Sequence, residues 1–195
     1  MAKDNTNMSN RKYDVILYGA SGFVGRQTVD YFAKLVLDNQ LNITWALAGR
    51  SKDKLEAVKT AAGQGAKKAG VVVADAYDKV ALDKLAKSAK VVLSTAGPFA
   101  LYGSDLVEAC VKNGTHYVDI TGETPWVHSL IQKHHEAAKK SGTRIIPFCG
   151  FDSVPSDLGA WLVAKTMFDT YGEPVESIKA AFSMRGGVNG GTLAS

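Results

Sequence analysis

Seven consecutive residues, Gly19-Ala20-Ser21-Gly22-Phe23-Val24-Gly25, constrain this chain more than any other stretch of it. They directly follow an apolar run, Tyr13–Tyr18, and open a segment, Phe23–Leu37, in which Val24, Thr28, Tyr31, Phe32 and Leu35 recur at helical spacing. A strand that turns through glycines into a helix brings free N–H groups and the positive end of the helix dipole to one point, which suits a phosphate. Gly19 allows the tight turn, Gly22 lets a pyrophosphate reach the backbone, and Gly25 lets the helix pack close to the sheet. All seven are therefore candidate dinucleotide-binding residues. The spacing is G-x-x-G-x-x-G, the form common in NADP-linked and extended-type domains of this kind. The plain alternative is a glycine-rich turn that serves packing only.

The rest of the chain repeats the same alternation. Strand candidates are Ile43–Leu47, Val71–Ala74, Val91–Thr95, Tyr117–Ile120 and Arg144–Phe148. Between and after them lie helix candidates Lys52–Ala61, Val80–Lys87, Ser104–Lys112, Trp126–Lys140 and Pro155–Met167. Asn113-Gly114 and Ser141-Gly142 supply helix stops, and Pro155 suits a first turn. Continuous apolar strands joined by helices imply an α/β fold with a parallel sheet covered on both faces. Right-handed crossovers make it doubly wound, with the expected order 3-2-1-4-5-6. The expected organisation is a flexible tail over 1–12, a dinucleotide-binding domain over 13–154, and a linker helix with the opening of a second domain over 155–195. In that last part Ser177–Met184 reads as a further strand, before a glycine-rich run over 186–191. The expectation is a piece of a longer protein, inactive alone because half the substrate cleft is missing.

Composition excludes several other classes. With 46% hydrophobic and 22% charged residues among 195, the chain is neither disordered nor fibrous. No run of 18 apolar residues suggests a membrane span, and the polar start lacks the apolar core of a signal peptide, so a cytoplasmic location is expected. The net charge of +4 is a mild excess without a basic stripe, which argues against nucleic acid and suits an anionic cofactor. Cys110 and Cys149 give no disulfide framework. The four histidines lack metal-ligand spacing, so no metal is expected, and His134-His135 reads as part of a surface helix.

Cofactor choice turns on the end of the second strand. An NAD-selective site needs a carboxylate there, roughly 20 residues past the loop. This chain has Arg50 and Ser51, with Lys54 one turn on. A guanidinium pairs bidentately with a 2′-phosphate, so NADP is expected over NAD. Asp75, at the end of the third strand, could reach the adenine or cap the next helix. Ser94-Thr95-Ala96-Gly97-Pro98-Phe99 ends the fourth strand at the switch-point crevice, and Ala96, Gly97, Pro98 and Phe99 are expected to line the nicotinamide side. Glu123 and Asp152, beyond strands five and six, are acid–base candidates by position, with helix capping as the alternative. Cys149 reads as a small buried residue rather than a nucleophile. No tyrosine has a lysine four residues on, which argues against the short-chain dehydrogenases.

Six segments together carry a resemblance. They are Tyr18–Gly25 (YGASGFVG), Ala48–Ser51 (AGRS), Ser94–Phe99 (STAGPF), Tyr117–Glu123 (YVDITGE), Gly150–Asp157 (GFDSVPSD) and Gly190–Ser195 (GGTLAS). In that order the chain resembles the saccharopine dehydrogenase-like oxidoreductases, including the branch called trans-acting enoyl reductases. The resemblance runs from about residue 13 to 195. It implies an N-terminal Rossmann domain, a C-terminal α+β domain that helps a homodimer form, and NAD(P)-linked hydride transfer. The substrate it implies is a small molecule of the imino or amino acid type, or a lipid-like enoyl chain. Some members of the wider group associate with lipid droplets or membranes. A competing reading is a non-catalytic sensor or scaffold that holds NADP(H) without turnover; another is a Rossmann domain with no ligand.

Overall fold

A computed structural model describes residues 10–183. Six parallel strands form one sheet: β1 (Tyr13–Tyr18), β2 (Trp45–Gly49), β3 (Gly70–Val73), β4 (Ala89–Ser94), β5 (His116–Asp119) and β6 (Ile145–Ile146). Their order is β3-β2-β1-β4-β5-β6, as the crossover rule predicts. Seven helices accompany them: α1 (Phe23–Leu37), α2 (Lys52–Ala61), α3 (Lys79–Ser88), α4 (Phe99–Tyr102), α5 (Ser104–Asn113), α6 (Thr124–Ser141) and α7 (Val154–Tyr171). The bounds of β1, α1 and α2 match the sequence reading to the residue. The one-turn α4 and a 3-10 turn over Gly63–Ala66 were not foreseen.

The sheet divides the core in two because neighbouring strand residues point to opposite faces. Leu17 and Leu47 join Val29 and Ala33 of α1 and Leu55 of α2. On the other face Ile16, Tyr18, Ala46 and Val92 join Leu82 and Leu85 of α3, Leu106 and Val107 of α5, and Trp126 and Leu130 of α6. All five residues of β2 are buried, as a central parallel strand requires. The central pairing sets Val15 beside both Trp45 and Val91, so the C-terminal ends of β1, β2 and β4 lie level.

Three expectations are corrected. β6 pairs over only two residues instead of the five from Arg144 to Phe148. Pro147 has no N–H to give the ladder, and Phe148 takes a left-handed φ of 60°, which turns the chain away. Residues 177–183 form no paired strand; Met184 and the glycine-rich run fall outside the described residues. Cys149 is exposed rather than buried, because sequence marks the loop and not its orientation. His134 is buried and His135 exposed, on different faces of α6.

The chain is fastened from Arg11 onward. Its guanidinium donates to the carbonyls of Ala86 (3.2 Å), Lys87 and Asn113 (2.6 Å). These close the C-terminal ends of α3 and α5, where helix dipoles favour a cation. At the other end α7 buries none of its residues, although Leu158, Trp161, Leu162 and Phe168 are apolar. Among the described residues no helix is long and apolar enough to cross a membrane, and no group of three or more His, Cys, Asp and Glu could hold a metal.

Candidate functional site

The glycine loop sits between the ends of β1 and β4, where the strand order reverses. Gly19 has a φ of 85°, which only glycine adopts without strain, and its N–H donates to Ala48 O at 2.9 Å. A Cβ at Gly19 would stand 2.8 Å from Ala96 N, so the first loop lies hard against the loop after β4. Gly22 caps α1 without a side chain, and the first intrahelical bond runs from Arg26 N to Gly22 O at 3.0 Å. The N–H groups of Phe23, Val24 and Gly25 therefore precede the helical ladder. Gly22 and Phe23 are exposed, while Ser21 and Val24 are half-buried and Ala20 is buried.

Gly25 does something closer than packing helix to sheet. A Cβ there would stand 2.1 Å from Gly19 O and 2.8 Å from Ala20 Cα. The helix start thus packs on the loop itself. No side chain of any kind fits between them without moving one or the other.

Three groups converge beside the loop from β1, β2 and β3. Arg50 follows β2 and is exposed; Ser51 caps α2 in position, but its hydroxyl makes no capping bond. Tyr18 donates to Ala74 O at 3.3 Å, and burial pushes its hydroxyl up to about 12. The Asp75 carboxylate adds to that rise and the Arg50 guanidinium opposes it. Asp75 does not cap α3. Its Oδ1 accepts from Tyr77 N at 3.0 Å, and Asp78 is the cap, accepting from Val80 N and Ala81 N. Adenine contact is the alternative left for Asp75.

The loop after β4 is held at both ends. Thr95 donates its N–H to Tyr18 O at 2.9 Å, and its hydroxyl lies 3.2 Å from Tyr18 O and 3.3 Å from Gly19 O. Beyond the cis Gly97–Pro98 bond, Glu123 accepts from Phe99 N at 2.7 Å and from Ala100 N at 2.8 Å. Between these anchors Ala96 and Pro98 are half-buried and Gly97 is exposed. The Phe99 ring is 6% exposed; it lies against Trp126 with ring centroids 5.9 Å apart and against Gly97, where a Cβ would stand 3.2 Å from its Cε2, so it backs the wall from the core side.

A second carboxylate, not foreseen, ties the outer loops. Asp119, buried at the end of β5, accepts from Tyr117 Oη (2.9 Å), Thr121 N (3.1 Å) and Phe148 N (3.2 Å). Burial raises its carboxyl, and these bonds oppose the rise. Thr121 Oγ1 in turn accepts from Glu123 N at 3.0 Å. A carboxylate on the inward face of a strand end, with a tyrosine two residues earlier on the same face, was the available signal. Glu123 occupies the cap position of α6 without capping it, and Asp152 lies exposed just before α7. Cys149, also exposed, has its thiol raised first by burial and then by Asp119, which makes it a poor nucleophile.

This sheet order, with a glycine loop entering a helix at the switch point and the β4 loop against it, defines a dinucleotide-binding domain of the Rossmann type. Residues 15–146 match the family described as the saccharopine dehydrogenase NADP binding domain, and the chain belongs to that family. It is 40% identical over 188 residues to the trans-acting enoyl reductase of Mycobacterium leprae (strain TN), covering 95% of this chain and 44% of that protein. To the trans-acting enoyl reductase of Mycobacterium tuberculosis (strain ATCC 25618 / H37Rv) it is 39% identical over 190 residues, covering 96% of this chain and 44% of the relative. The chain thus spans less than half the length of these curated relatives. Among solved structures, the apo saccharopine dehydrogenase (L-Glu forming) of Saccharomyces cerevisiae superposes with a TM-score of 0.63 at 22% identity, over 80% of this chain and 32% of the other. That likeness supports the fold alone.

The residues present fit NADP. At Gly22 the surface is open, with only Gly19 O near where a Cβ would stand, and the N–H groups of Phe23, Val24 and Gly25 precede the helical ladder beside it. Arg50 and Ser51 follow β2 directly, and no carboxylate stands at that strand end.

Proposed function

We propose that this chain carries the cofactor-binding part of an NADPH-dependent oxidoreductase that reduces an enoyl group on a lipid-like, thioester-bound chain. The observation that carries the reading is the open N-terminus of α1 behind Gly19–Gly25, with exposed Arg50 at the end of the neighbouring strand β2. The enoyl assignment rests on relatives of that name at 39–40% identity over nearly the whole chain. An imino or amino acid substrate has weaker support, since the saccharopine dehydrogenase likeness is one of fold.

In this reading Phe23 and Val24 offer their N–H groups to the pyrophosphate, with Ala20, Ser21, Gly22 and Gly25 shaping the cradle. Arg50 and Ser51 hold the 2′-phosphate and set the preference for NADP over NAD. Asp75 accepts from the adenine amino group. Ala96, Gly97, Pro98 and the backbone of Phe99 form the wall beside the nicotinamide. Bound there, the cofactor supplies the hydride. Asp152 is the freer of the two candidate acids: both oxygens of Glu123 are engaged, whereas among the described residues the bond to Asp152, from Ser156 Oγ, goes to its backbone carbonyl and not to its carboxylate.

The test is a calorimetric titration with NADPH and NADH at one ionic strength, followed by NADPH oxidation with a 2-enoyl thioester. Tight NADPH binding with weak NADH binding by this chain, no turnover by it alone, and one saturated thioester formed per NADPH consumed by the full-length protein, is the expected result. Binding by the full-length protein without turnover on any enoyl or imino substrate would make it a sensor or scaffold instead.

A further inference from the structure

Two carboxylates tie together the three loops that follow β4, β5 and β6, and neither is free to exchange a proton with a ligand. Asp119 is fully buried and draws the β6 loop, through Phe148 N, toward its own loop, through Thr121 N. Thr121 fixes the Glu123 backbone with its hydroxyl. The Glu123 side chain then crosses to the β4 loop and takes both free N–H groups at the start of α4. From Thr95, bonded to the phosphate loop, to Ala100, bonded to Glu123, the backbone is pinned at its two ends. Only Ala96, Gly97 and Pro98 lie between, and Gly97 is the exposed point.

We infer that Glu123 is a positioning residue: its bidentate hold on Phe99 N and Ala100 N sets where the Ala96–Pro98 wall stands relative to the phosphate loop, and so how the nicotinamide half of NADPH is received. This rests on the reading that the dinucleotide lies along Gly19–Gly25 and over the β4 loop. A carboxylate suits the task because it offers two acceptors with the spacing of two adjacent N–H groups, and its charge strengthens both bonds. An amide in the same shape keeps one acceptor and turns an N–H₂ toward the second N–H. The Phe99 ring, packed on Trp126, holds the same residue from the core side, so loss of the carboxylate loosens the wall without unfolding the domain.

The inference separates the two halves of the cofactor. Arg50 and the adenine side lie across the phosphate loop from this wall, on the β2 and β3 ends. Adenosine 2′,5′-bisphosphate, which has no nicotinamide, should not sense Glu123.

The experiment titrates NADPH and adenosine 2′,5′-bisphosphate into the wild-type protein, Glu123→Gln, Glu123→Asp and Thr121→Val, with thermal melting of each alongside. For Glu123→Gln the NADPH dissociation constant should rise about tenfold, the loss expected for one charge-assisted bond. The bisphosphate constant should stay within about twofold, near the limit of resolving such a change. Glu123→Asp, one methylene short, should behave likewise, and Thr121→Val should lie between these and wild type. Unchanged NADPH affinity in folded Glu123→Gln and Glu123→Asp would overturn the inference, as would equal losses for both ligands. A wild-type protein that binds neither ligand would overturn the dinucleotide reading beneath it. One that binds the bisphosphate but gains nothing from the nicotinamide half would sink the Glu123 role alone.

Discussion

Gly25→Ala is the sharpest test of how the phosphate loop is built. The new methyl would sit 2.1 Å from Gly19 O, and carbon at van der Waals distance needs about 3.5 Å, so about 1.4 Å must be found. Gly19 cannot yield it. Its N–H is bonded to Ala48 O at 2.9 Å, and its Cα faces Ala96 N, which a Cβ would meet at 2.8 Å. The start of α1 must therefore move, although Val29 and Ala33 hold that helix in the core. Overpacking of this kind costs about 1–3 kcal/mol, and the absence of any soft neighbour puts this site at the upper end. For a chain of this size that lowers the melting temperature by roughly 4–12 °C. Moving the helix N-terminus also withdraws N–H groups from a charged ligand at about 1.5–3 kcal/mol each, so the NADPH dissociation constant should rise tenfold to several-hundredfold. Gly22→Ala is the control. That residue is exposed, and its Cβ would meet only Gly19 O, at 3.2 Å. Its melting temperature should change by no more than about 2 °C, as for surface substitutions, while NADPH binding falls. Differential scanning fluorimetry and fluorescence titration read the two quantities. A Gly25→Ala protein with wild-type melting and wild-type NADPH affinity would refute the argument, because the overlap would then have been relieved at no cost.

Arg50→Ala should weaken NADPH about 10- to 150-fold and leave NADH within about twofold, as the loss of a charged hydrogen-bonding partner predicts; equal losses in parallel titrations would remove Arg50 from the 2′-phosphate. Phe99→Ala should cost about 3–5 kcal/mol in urea unfolding, because its ring is buried between Trp126 and Gly97. A cost below 1 kcal/mol would return that ring to the solvent side. Asp14 is held down to about 2, first by Lys90 at hydrogen-bond distance and then by Thr44. A depressed carboxyl contributes stability above its unfolded value of 3.8 that is lost as pH falls through about 2. Acid unfolding of Asp14→Asn should therefore lose part of its slope between those values, and an identical acid limb would contradict the pairing.

The legible parts of this protein were those set by short-range pattern. α1 and α2 follow from apolar spacing, and the parallel order follows from strand–helix alternation and the handedness of crossovers. The glycine loop was legible because its backbone conformation belongs to the loop itself, as the φ of 85° at Gly19 illustrates. The place of Arg50 at the end of β2 was legible because it depends on one strand end. What pattern cannot carry is the partner of a polar group far along the chain. Glu123 looks like a cap for α6 and instead serves Phe99 and Ala100, 24 and 23 residues back. Asp75 and Asp78 are equally plausible caps by composition, and only backbone direction chooses the second. Asp119 passes for an ordinary strand residue until the fold buries it among three donors. Phe99 sits in a crevice segment, yet Trp126, brought near by α6, draws its ring into the core. Backbone periodicity is a property of neighbours in sequence, so the chain states it openly. Hydrogen-bond satisfaction and ring burial are decided by neighbours in space, which exist only once the sheet has brought the loops of β4, β5 and β6 together.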